Sequence, residues 1–331
     1  RSSGPMMAEL STQTRPTTAS SLDYKALYNG TGCQEILAPN VTILSITLII
    51  CLLGLVGNGI ILWFLGFRMK RNPFTVYVLN LAVADTGFLL FSVVYVVVYM
   101  VQYPFCDNPE VFYILFLLTM LSLWMNSTSV YLLTAISTER CVSVLCPIWY
   151  RCCRPRHLSA IVSALLWALP FLLCCSVCIF CLLINENCNT SVLYIFILNV
   201  LIFSPIMVLS SLTLFIKVRQ SSQRRPPSKL YVVILLTVLF FLLFTLPQSV
   251  AYILFYLGIS EPTNMLYVLA CASSSINPFI YFLVGSYGKR RFCGSLKLTL
   301  RRVFEEQTNS GEDRDPPSTD PRETAVLQGC T

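Results

Sequence analysis

The sequence of 331 residues is poor in charge and nearly devoid of histidine: 12% of its residues are Asp, Glu, Lys or Arg, and His157 is the only imidazole. A soluble globular domain carries roughly 25% charged residues. With about half that share, the chain has too few charges to face water on every side, which argues against a soluble enzyme and against a disordered chain. One imidazole, and no Cys-x-x-Cys pair facing a second, also argue against a zinc site. No metal-dependent chemistry, enzymatic activity or nucleic-acid partner is expected. Internal repeats are missing too, which weakens a transporter reading, because many transporters are built from them. No charged-then-apolar leader opens the chain, so the first apolar segment is expected to serve as the insertion signal.

What is present is apolar. By composition 55% of the residues are hydrophobic, and most of the 15 cysteines lie inside apolar runs, as at Cys174, Cys175 and Cys178, where a thiol acts as a small hydrophobe. Seven long stretches stand out, near Val41 to Gly66, Phe74 to Met100, Val111 to Leu145, Leu158 to Leu183, Val192 to Ile216, Leu230 to Leu257 and Asn264 to Val284. About 20 helical residues cross a bilayer, and runs this continuous lack the alternation of a barrel strand. The expectation is an all-α bundle of seven transmembrane helices. Pro170, Pro205, Pro247 and Pro278 fall inside spans, where neighbouring helices absorb kinks.

Basic residues set the orientation. Arg68, Lys70 and Arg71 follow the first span, Arg151, Arg154 and Arg156 the third, and Lys217, Arg219, Arg224, Arg225 and Lys229 surround the link from fifth to sixth. Loops 101–110, 184–191 and 258–263 hold no Lys or Arg. That places the amino terminus outside and the carboxyl terminus in the cytoplasm of a multi-pass plasma-membrane protein. The sequons at Asn29 and Asn40, which precede the first span, agree, and both are expected to be glycosylated. The expected organisation is an extracellular segment 1–40, a seven-helix domain 41–285, an amphipathic membrane-surface helix 286–304 and a disordered cytoplasmic tail 305–331. Phe292, Leu296, Leu300 and Phe304 recur every four residues among basic side chains. Cys293 beside them is a candidate for palmitoylation.

Charges at membrane depth are costly and mark function. Three qualify: Asp85 in the second span, and Glu139 with Arg140 at the inner end of the third. Ser129, Ser274 and Asn277 are placed to complete a polar chamber around Asp85, able to hold water or a sodium ion. The alternative is a buried, hydrogen-bonded carboxyl without a ligand.

These residues carry a resemblance. Gly57-Asn58, Leu81 four residues before Asp85, Glu139-Arg140, Trp167, Pro205, Pro247 and Asn277-Pro278-Phe279-Ile280-Tyr281 are similar, one per helix and in order, to the marks of the rhodopsin-like G-protein-coupled receptors. Phe67 to Phe74, Leu133 to Cys141, Pro147 to Cys152 and Asn277 to Ser286 resemble the Mas-related receptors more narrowly. The resemblance implies binding of an extracellular ligand and activation of a heterotrimeric G protein. It implies that Glu139 holds Arg140 at rest, that the sixth span pivots at Pro247, and that Asn277, Pro278 and Tyr281 support the active state. It also implies receptor kinases and arrestin as partners of the tail.

Departures are informative. Thr245 stands where an aromatic residue is usual two positions before the span-six proline, Cys141 replaces the Tyr after Arg140, and Leu115 replaces the cysteine that usually bonds the second outer loop. In several Mas-related receptors a cysteine ending span four bonds one beginning span five, and Cys181 and Cys188 match those positions. The outer loops carry Asp107, Glu110, Glu186 and Glu261 against no base, a field that steers cations inward. A cationic peptide or small amine is the expected ligand. Tyr95, Tyr99, Ser122, Tyr252, Phe255 and Tyr267 are candidate lining residues, suited to cation–π contact or to an apolar ligand. Against the cation, Val177 and Leu193 occupy positions where cation-binding relatives carry acids, and Ser122 stands where amine receptors carry an Asp. An accessory seven-helix protein that modulates other receptors remains the alternative function, with a transporter behind it.

Overall fold

A computed structural model describes residues 37–68, 73–102, 109–155, 157–183, 188–221, 229–259 and 265–286. Asn40 falls in the first turn of α1 and Ser286 ends α9, the side chain of Asn40 being undescribed; the remainder of the expected segments 1–40 and 286–304, all of 305–331, and with them Asn29, Cys293 and Glu186, lie outside the residues whose placement is described. So does the side chain of Glu110.

Every described element is helical. α1 spans Leu37–Phe67, α2 Pro73–Gln102, α3 Pro109–Leu145, α4 Pro147–Cys152, α5 Leu158–Leu183 and α6 Cys188–Leu198; a π-helical turn, Asn199–Phe203, leads into α7 Ser204–Ser221; α8 spans Lys229–Tyr256 and α9 Met265–Ser286. Proline opens α2, α3 and α4, where the first-turn N–H has no intrahelical partner and its loss costs nothing. α6, the π turn and α7 make one continuous fifth span. The π turn precedes Pro205, whose missing N–H and bulky ring disturb the turn before it; there the Ser204 N–H reaches back to the Asn199 carbonyl and the Ser204 hydroxyl bonds it at 2.8 Å.

Six described helices are long and apolar enough to cross a membrane, and the seventh, α9, is apolar over the shorter stretch Tyr267–Leu283. Ile49, Leu53, Val56, Leu165 and Leu172 point outward and exposed, as side chains facing lipid do. Hydroxyls on that surface need a partner, because lipid offers none. Thr119, Ser176 and Thr213 each bond the carbonyl four residues earlier, at 2.8 Å.

The interior is layered. Toward the end that carries the basic loops, Leu65, Phe74, Leu81, Tyr131, Leu214 and Phe241 belong to one large cluster. Toward the other end, one cluster joins α3, α5 and α6 around Met120, Val177 and Ile195, and another joins α1, α2 and α9 around Cys51, Leu89 and Cys271. α1 approaches α9 closely because Gly57 lacks a side chain: a Cβ there would stand 3.1 Å from Pro278 Cβ.

Candidate functional site

Midway along the bundle, where α1, α2, α3 and α9 meet, stands Asp85, 1% exposed. Ser129 Oγ donates to its Oδ1 at 2.8 Å and Asn277 Nδ2 to its Oδ2 at 2.7 Å. Asn277 is followed by Pro278, which has no N–H for the carbonyl of Ser274, four residues earlier. That freed carbonyl accepts Asn58 Nδ2 at 3.1 Å, while the same amide bonds the Gly54 carbonyl at 3.0 Å. The Ser274 hydroxyl faces the Asp85 carboxyl. The structure thus brings together all four residues expected at the chamber and adds Asn58. Its donor set is a carboxylate and hydroxyl oxygens, the ligands a hard cation takes; two neutral hydrogen bonds already satisfy the carboxylate.

At the basic end of α3, Glu139 and Arg140 lie in different surroundings. Glu139 Oε1 accepts Tyr150 Oη at 2.8 Å and Arg154 Nη2 at 2.7 Å. The Arg154 and Glu139 side chains are only 6% and 14% exposed. Arg154 also donates to Ser159 of α5, and its guanidinium lies 5.2 Å from the Tyr150 ring centroid. Burial, with the Glu139 carboxylate beside it, pushes the Tyr150 phenol up to about 12, so it remains a donor at neutral pH. Arg140, 4% exposed, carries its guanidinium carbon 4.2 Å from the Phe74 ring centroid. Next to it a small cavity of about 10 Å³, room for a single water, opens between α2, α3, α8 and α9, with Phe74, Ile136, Ser137, Val233 and Tyr281 among its walls. Tyr281 is buried at 4% exposure. Pro247 lies inside α8, the helix that supplies Val233.

The opposite half is aromatic. Tyr95 stacks on Tyr99 at 6.2 Å and meets Tyr267 at 6.3 Å, while Tyr267 packs edge-on against Phe88 and donates to Ser92 Oγ at 2.8 Å. Three of the expected lining residues therefore form one group between α2 and α9. Tyr252 belongs elsewhere: it stacks on Phe196 at 4.3 Å beside the α3–α5–α6 cluster. Phe255 points outward, 36% exposed. Ser122 is buried, with its hydroxyl unpartnered. Val177 and Leu193 are buried. Cys181 is disulfide-bonded, whereas the side chain of Cys188, which opens α6, lies outside the described residues.

Sequence reasoning missed the partners of the α3 end. Arg154 reads as one more positive-inside base and Tyr150 as loop; nothing in their spacing of 15 and 11 residues from Glu139 announces the contact. It arises because α4 turns the chain back under α3. Trp167 was recognised, but not its bond from Nε1 to Asn80 Oδ1 at 3.0 Å, nor that its carbonyl accepts Trp124 Nε1 at 3.3 Å.

Residues 57–281 match the family described as 7 transmembrane receptor (rhodopsin family). The chain is 41% identical to the human (Homo sapiens) "Proto-oncogene Mas", covering 82% of this chain and 86% of that one. It is 42% identical to human "Mas-related G-protein coupled receptor member D", covering 80% and 85%, and 44% identical to human member X2, covering 78% and 82%.

Proposed function

The chain belongs to the rhodopsin family of seven-transmembrane receptors, on its Mas-related branch, and we propose that it takes up a cationic peptide or small amine at its acidic end and activates a heterotrimeric G protein at its basic end. It is a multi-pass membrane receptor rather than an enzyme. On this reading its amino terminus is extracellular and its basic loops are cytoplasmic, where they suit both anionic lipid and a G protein.

The observation that carries the proposal is the arrangement around Arg140: a buried guanidinium resting on Phe74, beside a cavity walled by α8 and Tyr281. Such a cation is held by a ring rather than by solvent, and it becomes available when α8 swings away. Ligand binding at the far end biases the helices toward that packing. Pro247 is the pivot, since α8 lacks one backbone hydrogen bond there. The cavity then widens to admit the carboxyl-terminal helix of the G protein, with Arg140 as its contact and Tyr281 turned inward to support it.

A sodium ion would be held by Asp85 with the Ser129 and Ser274 hydroxyls and would favour the resting packing. The Tyr95, Tyr99 and Tyr267 rings offer a cation–π surface for the cationic ligand. Cys188 is the partner we assign to Cys181, giving a short clamp on the outer hairpin. Thr308, Ser310, Ser318, Thr319 and Thr324 in the tail would serve receptor kinases and arrestin.

The test is a G-protein dissociation panel in cells expressing the chain and its Arg140→Ala variant, at rest and with a library of cationic peptides and amines. A response from the parent, absent from the variant at equal surface expression, is expected. An unchanged response from the variant would refute the role given to Arg140. Silence from both across all G-protein classes would favour an accessory protein that modulates other receptors.

A further inference from the structure

Three thiols crowd the loop between the third and fourth membrane helices. Cys146 precedes α4, Cys152 ends it and Cys153 follows; all three are free and exposed. Around them Leu145, Ile148 and Trp149 are 46%, 79% and 43% exposed. Helical positions three and four apart share a face, so Cys152 stands in line with Trp149 and Ile148 on α4, while Leu145 closes α3 just before the break at Cys146. The loop lies between the membrane-crossing segments Tyr113–Leu145 and Leu158–Cys181. Cys146 is therefore the first residue beyond one span, and Ile161 and Leu165 in the first turns of α5 are exposed apolar residues as well. By contrast Cys141, one turn earlier in α3, is buried. What covers the apolar face of α4 in the resting protein is then the adjoining leaflet, with the thiols at its boundary.

We infer that Cys146, Cys152 and Cys153 form an S-acylation site, with Cys152 as its main acceptor and the acyl chain laid into the inner leaflet beside Ile148 and Trp149. The donor is a long-chain acyl-coenzyme A. The Cys152 sulfur attacks the thioester carbonyl, a new carbon–sulfur bond forms, the old one breaks, and the coenzyme A thiol leaves with the proton; no electrons are transferred. Short apolar helices at a membrane boundary with a neighbouring cysteine suit this chemistry, because the thiol and the chain's destination are side by side. The acyl chain pins α4, and with it Tyr150 and Arg154, against the membrane. The inference rests on the proposed orientation, since acyl-coenzyme A is supplied on the cytoplasmic side.

The experiment uses the full chain in cells, in a Cys293→Ser background that removes the other candidate acceptor. Free thiols are blocked with N-ethylmaleimide after permeabilisation, thioesters are cleaved with hydroxylamine, and the released thiols are captured with a tagged maleimide. Hydroxylamine-dependent capture is expected, and it is lost when Cys146, Cys152 and Cys153 are all replaced by Ser at equal surface expression. If that triple variant fails to reach the surface, single Cys152→Ser and Cys153→Ser variants must each lower the capture. No capture from the Cys293→Ser chain, or capture unchanged by these substitutions, overturns the site. A membrane-impermeant maleimide separates the two ways of failing. Reaction of Cys152 in intact cells overturns the orientation and the site together. Reaction only after permeabilisation, without a hydroxylamine-dependent signal, overturns the acylation alone.

Discussion

The two ends of α3 bury polar atoms among apolar helices by opposite means. At its basic end, among neutral hydroxyls such as those of Ser137 and Tyr131, stand two charged groups with named partners: Glu139 with Arg154 and Tyr150, Arg140 with the face of Phe74. In its other half the buried polar groups are neutral, and one of them, Ser122 Oγ, has no partner, while the volume is filled by Tyr252, Phe196, Tyr95, Tyr99 and Tyr267. Discrete charge pairs have two states, made and broken, which suits a switch. Rings and spare hydroxyls tolerate many arrangements, which suits a pocket. Asp85 lies between the two regimes, a charge-bearing group satisfied by neutral donors.

That contrast can be broken at graded cost. Asp85→Ala is expected to do most damage, because Ser129 and Asn277 both lose a buried acceptor; at roughly 2 kcal/mol per orphaned donor the loss is about 4 kcal/mol. Thermal unfolding in detergent measures it. Asp85→Asn preserves the shape, and sodium should raise the melting temperature of the parent but not of this variant; equal responses would remove the ion from Asp85. Next comes Arg154→Gln, which strands Glu139 at 14% exposure. Breaking such a buried pair costs about 3 kcal/mol. The Glu139→Gln/Arg154→Gln double variant should recover part of the loss, and additive single effects would show that the two do not act as a pair. Such variants are also expected to raise basal signalling, by freeing the loop that α4 holds under α3.

Smaller effects sharpen the comparison. Tyr267→Phe removes the bond to Ser92 and should cost about 1 kcal/mol. Tyr131→Phe is the counterpart. The Tyr131 hydroxyl is buried without a partner while its ring stacks on Phe203 at 3.6 Å, so deleting the oxygen should leave stability unchanged or slightly higher. A clear loss from Tyr131→Phe would reveal a bound water at that hydroxyl.

Much of the chamber around Asp85 is legible in the sequence, because rare polar residues in long apolar runs have few places to go. Ser129, Ser274 and Asn277 converge on it, and Gly57 and Asn58 proved to matter through Pro278: one lets α1 close on its ring, the other bonds the carbonyl that Pro278 leaves free. The aromatic lining was half legible. Tyr95, Tyr99 and Tyr267 meet, but Tyr252 and Phe255 do not join them, since helix rotation about its axis is fixed by packing and not by composition.

By itself the sequence determined the seven spans, their polar centre and the family, because a bilayer demands long apolar helices and punishes every charge that lacks a purpose. The tertiary structure alone decided who partners whom at the α3 end. The six-residue α4 carries no span signal, yet it brings Tyr150 and Arg154 to Glu139 across 11 and 15 residues of chain. Contacts of that kind depend on how a loop folds back under a bundle. Packing sets that path, and no local spacing records it.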